Sequence, residues 1–180
     1  MKKTIIATLL ILLIASASVF AAVSDNFTVT TTVAERGDMK VTTAAMVGHT
    51  AAAYGALADF TNLAITASGA QGTAGVVAYM TTLSNKRTGY KVTMAATPMI
   101  NGSGATASYI DYTVVCGTQT AATHGAAATT ITGTAVDTVS GLTGLTGKSM
   151  PISLTVDGTT FDAAVAGLHT GTVTFTFTAL

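Results

Sequence analysis

The stretch GTVTFTFTAL, residues 171–180, alternates between threonine and apolar side chains at the end of the chain. Successive side chains of a β-strand point to opposite faces of a sheet, so a period of two predicts a strand with one apolar face. Val173, Phe175, Phe177 and Ala179 share that face, and threonines occupy the other. The stretch therefore predicts an amphipathic C-terminal strand.

The stretch NFTVTTTV, residues 26–33, shows the same alternation near the other end of the chain, with Phe27, Val29, Thr31 and Val33 on one face. Similar β-branched patterns predict further strands at residues 63–66, 75–83, 90–95, 108–115, 129–134 and 152–156. Asp157-Gly158 predicts a two-residue hairpin turn after the last of these.

Helical signals are weak along the whole chain. Alanine-rich residues 44–59 and 121–128 permit at most a helical turn, because glycines interrupt them. Short strands at roughly ten-residue spacing predict an all-β sandwich. Within it, residues 117–148 are the most loop-like region.

The first 21 residues have the organisation of a secretory signal peptide. Lys2 and Lys3 precede an apolar run of residues 4–14, and small residues follow. The run is too short for a transmembrane helix, which needs about 20 residues. Cleavage after Ala21 is predicted, residues 15–17 offer an earlier site, and the mature protein is expected to be exported.

Thr, Ala and Gly make up nearly half of the chain, whereas charged residues make up only 9%. An ordinary soluble domain is about 25% charged. The low content of Lys and Arg argues against a nucleic-acid-binding function, which needs these residues in clusters to neutralise phosphates. Regular β-branched patterning and low charge also argue against a disordered chain.

No pattern of catalytic or ligand-binding residues stands out. His49, His124 and His169 are far apart in sequence, and Cys116 is the only cysteine, so no intramolecular disulfide can form. Nucleophile-elbow and phosphate-loop motifs are missing from the sequence. We therefore expect no enzyme activity, no cofactor and no metal, and we expect Cys116 to be a small buried side chain.

Arg36-Gly37-Asp38 spells the tripeptide that integrins recognise. The sequence places it in a polar stretch after the first predicted strand, where a charged turn between two strands is expected. An exposed ligand loop is the alternative.

A strand at the start of a mature chain needs a sheet edge with which to pair. It either joins its own domain or is supplied to another molecule by β-strand addition, in which main-chain hydrogen bonds give affinity and alternate side chains fill pockets.

Several short segments resemble the major pilins of chaperone–usher fimbriae, in particular the α class typified by colonisation factor antigen I. They are AVSDNFTVT at residues 22–30, VTMAATP at 92–98, MPIS at 150–153 and the alternating C-terminal strand. Pilins of the archaic class remain an alternative, and the middle of the chain matches weakly.

The resemblance implies an incomplete immunoglobulin-like β-sandwich that is completed by donor-strand exchange. Residues 22–34 would be the N-terminal donor strand and residues 35–180 the pilin domain. Phe27, Val29, Thr31 and Val33 would enter the groove of the neighbouring subunit, and Val173, Phe175 and Phe177 would line that groove or face the core. Thr31 and the Ala179-Leu180 ending depart from the family pattern.

The implied function is that of a structural major subunit of an adhesive surface fimbria. Its partners would be identical subunits, with a periplasmic chaperone and an outer-membrane usher during assembly, and the resemblance leaves a tip adhesin open. Two alternatives remain: a monomeric exported β-sandwich that acts as a binding module, and a secreted enzyme with an unrecognised site.

Overall fold

The computed structural model describes residues 28–126 and 135–180, and a boundary between two units falls between Val33 and Ala34. In the first unit, residues 28–33 belong to no helix or strand, and their side chains are exposed. The predicted signal peptide, Phe27 and the predicted strand 129–134 lie outside the described residues.

The unit from Ala34 to Leu180 is mainly β-structure, as the sequence predicts. Its elements are, in chain order, β1 (Gly37–Thr42), α1 (Ala51–Gly55), β2 (Gly69–Ala70), β3 (Val76–Ser84), β4 (Tyr90–Ala96), β5 (Met99–Asn101), β6 (Ser108–Ile110), β7 (Tyr112–Cys116), β8 (Gln119–Ala122), β9 (Ala135–Val139), β10 (Thr146–Val156), α2 (Gly158–Ala163) and β11 (Val173–Ala179).

The strands form two main sheets, and all their pairings are antiparallel. The first sheet has the order β1-β3-β10-β7-β8, and the short β2 pairs with the end of β10. The second sheet has the order β11-β4-β9, and β5 pairs with β6 in a separate two-stranded ribbon.

Both main sheets contribute to one hydrophobic core. Met80, Val114 and Ile152 come from the first sheet, and Val92 and Met94 come from the second. Strand β4 alternates strictly between buried and half-buried positions. Every second residue of β4 is therefore buried, as expected for a strand with one face against the core.

The predicted C-terminal strand is confirmed as β11. Val173, Phe175 and Phe177 are half-buried and pack against the core, and the intervening threonines are exposed. Ala179 differs from the prediction, because this last residue of the strand is exposed.

The predicted hairpin at Asp157-Gly158 is wrong, because the short helix α2 begins there. The Asp157 carboxylate accepts a hydrogen bond of 2.8 Å from the Thr160 backbone amide. Aspartate is a preferred helix N-cap for this reason, and the helix start satisfies an amide that a hairpin would leave to solvent.

Two other expected strands do not form. Residues 28–33 are in no strand, because a lone strand has no ladder to satisfy its backbone groups. Residues 63–66 also lack a ladder partner within the described parts of the chain.

Two expected loops are instead partly strand. Gly37 and Asp38 belong to β1, so the predicted charged turn at Arg36-Gly37-Asp38 is wrong. The charged residues of this edge strand, Asp38 and Lys40, are half-buried and alternate with Met39 and Val41, so they interrupt the apolar pattern from which a strand is predicted. The loop-like region 117–148 contains β8, β9 and the start of β10.

In the ranges 28–126 and 135–180, no helix combines the length and apolar character needed to cross a bilayer.

Candidate strand-binding groove

Strand β11 is an edge strand of the second sheet. One of its edges pairs with β4 from Val173 opposite Ala96 to Ala179 opposite Tyr90. No strand of the described residues pairs with its other edge. An edge strand carries a row of backbone N–H and C=O groups that can bond to a further strand.

A groove of about 850 Å³ lies beside β11. Its lining comes from the inner face of the first sheet, the segment 60–65, the β5–β6 ribbon, α2, the loop 164–172 and β11 itself. The apolar side chains among the lining residues are Val41, Phe60, Leu63, Ala64, Ile65, Val77, Ala78, Met99, Ile110, Val114, Ile152, Leu154, Phe161, Ala164, Val165, Ala166, Leu168, Val173 and Phe175.

The first sheet supplies a tightly packed part of this lining, whereas β11 is left partly uncovered. Ala78, Val114 and Ile152 are each at most 4% exposed. Val173 and Phe175 are only half-buried, although they occupy the inward positions of their strand. The groove therefore presents apolar surface directly next to an unpaired strand edge, a combination suited to binding an extended, alternately apolar segment.

Hydrogen bonds around Tyr112 hold the start of β11 in place. The Tyr112 hydroxyl donates to the Thr97 carbonyl oxygen at 2.6 Å, and the Thr172 and Thr97 backbones are joined at 2.9 Å. Desolvation by burial raises the pKa of Tyr112 to about 12, so the hydroxyl stays a donor through the physiological range.

The loop 164–172 is tethered by Ser108 and His169. The Val165 amide donates to Ser108 Oγ at 3.2 Å, and Ser108 Oγ lies 3.1 Å from His169 Nε2. His169 Nδ1 lies 3.2 Å from the Gly167 carbonyl oxygen. The Gly167 carbonyl oxygen can only accept, so in the neutral ring the proton is assigned to Nδ1, and Nε2 accepts from the Ser108 hydroxyl.

The tethered loop also carries apolar side chains that face solvent. Leu168 is 84% exposed and Val165 is 57% exposed. Both residues line the groove, and the sequence patterns did not single them out, since they lie outside any periodic segment.

The predicted acceptor residues do not all have the same role. Val173 and Phe175 line the groove, but Phe177 does not. The Phe177 ring stacks on the Tyr90 ring with centroids 4.9 Å apart. A Cβ atom added to Gly37 would lie 3.1 Å from the Phe177 ring, so β1 and β11 approach closely at this end.

The predicted donor residues are exposed where the structure describes them. Val29 is 80% exposed and Val33 is 76% exposed, and Thr31 is exposed as well. Phe27 lies outside the described residues. Among the described residues, those that line the groove all belong to the unit that begins at Ala34.

The Arg36-Gly37-Asp38 tripeptide lies at the start of β1, with Arg36 just before the strand, and it contacts residues of its own chain. The Arg36 guanidinium forms an ion pair with the Asp38 carboxylate. The same guanidinium lies 5.8 Å from the centre of the Tyr54 ring. The tripeptide is therefore not presented as a free loop.

The remaining singled-out residues lie apart from one another. Cys116 is fully buried, as expected, and desolvation raises the pKa of its thiol to about 12. His49 Nδ1 accepts from the Gly147 amide at 3.2 Å, far along the chain from His124 and His169. The described residues contain no group of three potential ligands that could hold a metal ion.

Comparison with protein families, with curated proteins and with solved structures finds no match for this chain.

Proposed function

We propose that this chain is the structural subunit of an adhesive surface fimbria. Subunits polymerise head to tail when the N-terminal segment of one copy, residues 22–34, enters the groove of the next copy and completes an immunoglobulin-like sandwich there. The observation that carries the proposal is the apolar groove beside the unpaired edge of β11.

The N-terminal segment has the chemistry that this groove requires. Val29 and Val33 alternate with threonines and are exposed in the single chain. A second copy would cover them together with Phe27. Each fully buried side chain of this size contributes about 1.5–3 kcal/mol, so three contribute on the order of 5–9 kcal/mol, comparable to the stability of a whole domain.

The distribution of charge favours one direction of insertion. The Ala34 carbonyl accepts from Asn85 Nδ2 at 2.9 Å, so the segment leaves its own subunit next to Lys86 and Arg87. At the start of β11, the Thr172 carbonyl oxygen accepts a hydrogen bond of 3.4 Å from the Tyr112 hydroxyl. Asp111 is the residue before Tyr112 in the chain. The Asp157 amide in turn donates to the Asp111 carbonyl at 2.9 Å.

Antiparallel insertion along β11 brings the last residues of the segment to the start of that strand. Lys86 is ion-paired with Glu35 at 2.8 Å, so Arg87 is the residue of this end whose charge then faces the Asp111 and Asp157 end of the next copy. Parallel insertion would bring the basic end close to Lys91, which lies opposite Thr178 near the other end of β11. Opposite charges at the junction steer association, and like charges oppose it.

Such a contact joins two different surfaces and does not close on itself, so it generates a fibre. In this account, a signal peptide directs export, and a periplasmic chaperone then covers the groove. An outer-membrane usher replaces the chaperone with the N-terminal segment of the next subunit. The product is a fimbria on the cell surface.

A monomeric exported binding module remains the second candidate, in which the groove accepts an extended segment from another protein. Deleting residues 22–34 separates the two candidates. A pilin would lose polymerisation and keep a groove that binds an added peptide of residues 22–34. A binding module would not polymerise with or without these residues.

The direct test compares two double substitutions in the N-terminal segment. Val29→Asp with Val33→Asp puts charges on the face that enters the groove, so we expect no filaments in electron micrographs. Thr30→Asp with Thr32→Asp adds the same charge to the opposite face and should leave filaments intact. Equal behaviour of the two variants would contradict the proposal.

A further inference from the structure

Exposed apolar side chains of the unit from Ala34 to Leu180 are concentrated at its two ends. Scattered apolar residues are normal on a protein surface, whereas grouped ones mark an interaction site. The outer positions of β11, between the two ends, are threonines that water can solvate. Among the described residues of this unit, the exposed large apolar side chains are Val47, Ile100, Leu145, Val165, Leu168 and Leu180.

Three of them, Val47, Leu145 and Leu180, lie at the end where the N-terminal segment leaves the unit, which we call the exit pole. Leu145 comes directly before β10, whose first residue pairs with Ser84, the last residue of β3. Leu180 comes directly after β11, and its amide donates to the Gly89 carbonyl oxygen at 3.1 Å. Val47 belongs to a segment that is hydrogen-bonded to the start of β10 on both sides of this residue.

The other three, Ile100, Val165 and Leu168, lie at the opposite end, where β11 begins, which we call the entry pole. Ile100 and Thr170 exchange backbone hydrogen bonds of 3.1 Å, so the loop before β11 runs beside β5. The Val165 amide of the same loop is bonded to Ser108 of β6. Leu168 lies between these two attachment points and is 84% exposed.

No free linker separates the N-terminal segment from its own subunit. The Asn85 side chain holds the backbone on both sides of Glu35, because Nδ2 donates to the Ala34 carbonyl and Oδ1 accepts from the Arg36 amide. Val33, the last apolar residue of the segment, directly precedes Ala34. If Val33 is inserted beside the start of β11 in the next copy, the exit pole of one copy must lie next to the entry pole of the other.

We propose that the exit pole of each subunit packs on the entry pole of the next, so that a second copy of the chain covers the apolar side chains of both poles. This packing rests on the proposed function and adds to it a contact outside the groove. With the contact, the filament is a stiff stack of subunits. Without it, successive subunits would hinge at Ala34.

Each pole is too small to join two free subunits. A stable interface buries about 1,200–2,000 Å² in total, whereas each pole offers only three large apolar side chains. The inserted segment changes this balance, because a short connection gives an effective concentration in the millimolar range. The opposite charges of Arg87 and Asp157, near the exit and entry poles respectively, favour the same arrangement.

Cross-linking in filaments tests whether the poles meet. Leu168→Cys is combined with either Val47→Cys or Leu145→Cys, and the filaments are treated with a short bismaleimide. The native Cys116 is fully buried and does not compete. We expect at least one pair to give a ladder of dimers, trimers and longer chains on a denaturing gel. Leu168→Cys with Thr120→Cys should give none, because Thr120 lies within β8, at the side of the first sheet.

The possible outcomes separate the pole contact from the proposed function. Filaments that give no ladder with either pair would overturn the contact and leave strand insertion intact. An equally strong ladder from the Thr120 variant would also overturn the contact. Absence of filaments from the unaltered chain would overturn both proposals.

Filament stiffness provides a second measurement that needs no cross-link. Val47→Thr with Leu145→Asn changes the exit pole, Leu168→Asn changes the entry pole, and each substitution keeps the approximate shape of an exposed side chain. Because both changes remove the same contact, the persistence length in electron micrographs should fall about twofold with either one and little further with both. An unchanged persistence length, or independent losses at the two poles, would overturn the contact.

Discussion

The aromatic ring of Phe177 stacks on the ring of Tyr90, with centroids 4.9 Å apart and an angle of 23° between the planes. This pair joins β11 to the neighbouring strand β4 at the end where β11 lies close to Gly37. Two residues earlier in the same strand, Phe175 lies beside the open groove. The apolar face of β11 is therefore packed against Tyr90 at Phe177, whereas Val173 and Phe175 on the same face border the groove.

Replacing Phe177 with alanine should destabilise the domain. The substitution removes the stack on Tyr90 and leaves a cavity above Gly37. Because the ring is only half-buried, we expect a loss of about 2–3 kcal/mol, less than the roughly 3–5 kcal/mol of a fully buried ring. Urea unfolding measures the loss. Thr176→Ala, on the exposed face of the same strand, should change the stability by no more than about 0.5 kcal/mol.

The ion pair between Lys148 and Asp137 links the two sheets. Their side-chain atoms are 2.7 Å apart, and the Asp137 side chain is only 7% exposed. Lys148→Met leaves this carboxylate without its cation and should cost about 1–3 kcal/mol. Lys86→Met breaks an ion pair with the exposed Glu35 and should cost at most about 1 kcal/mol. Equal losses in the two variants would contradict this ranking.

Alkaline pH should weaken the fold. Burial raises the pKa of the Cys116 thiol from 9.0 and that of the Tyr112 hydroxyl from 10.0, in each case to about 12. The unfolded chain loses these protons first, so the stability that they contribute is complete below pH 9 and is lost as the pH rises to 12. Unfolding free energies measured from pH 8 to 12 should decline accordingly. Tyr112→Phe should make the decline between pH 10 and 12 shallower, and an unchanged slope would rule out Tyr112 as a contributor.

Filament growth should depend on the charges at the subunit ends. Arg87→Glu places a negative charge where we expect the acidic end of the next copy, so growth followed by light scattering should slow several-fold at low salt. The difference should shrink at high salt, where charges are screened beyond a few ångströms. Asp162 is an exposed residue of α2, the helix that Asp157 caps, and Asp162→Arg in the same chain should restore part of the rate. A loss that is independent of salt would point to a steric effect.

Sequence patterns predicted β3, β4 and β11 closely, because each has apolar side chains directed at a shared core, whereas the single strand predicted at residues 108–115 is divided into β6 and β7. The patterns failed at β1, where charged residues occupy an edge strand, and at Asp157-Gly158, where the same two residues suit a hairpin turn and a helix cap. The groove could not be predicted from any pattern. Its lining joins residues from β1 to β11 that are brought together only by the order of the strands.

The central claim is that residues 22–34 of one subunit fill the groove of the next, and a cryo-electron microscopy map of the filament tests it most directly. We predict a strand with Val29 and Val33 pointing into the groove, antiparallel to β11 and contributed by the neighbouring subunit. A map in which the free edge of β11 is empty, or is filled by the segment of the same subunit, would contradict the account.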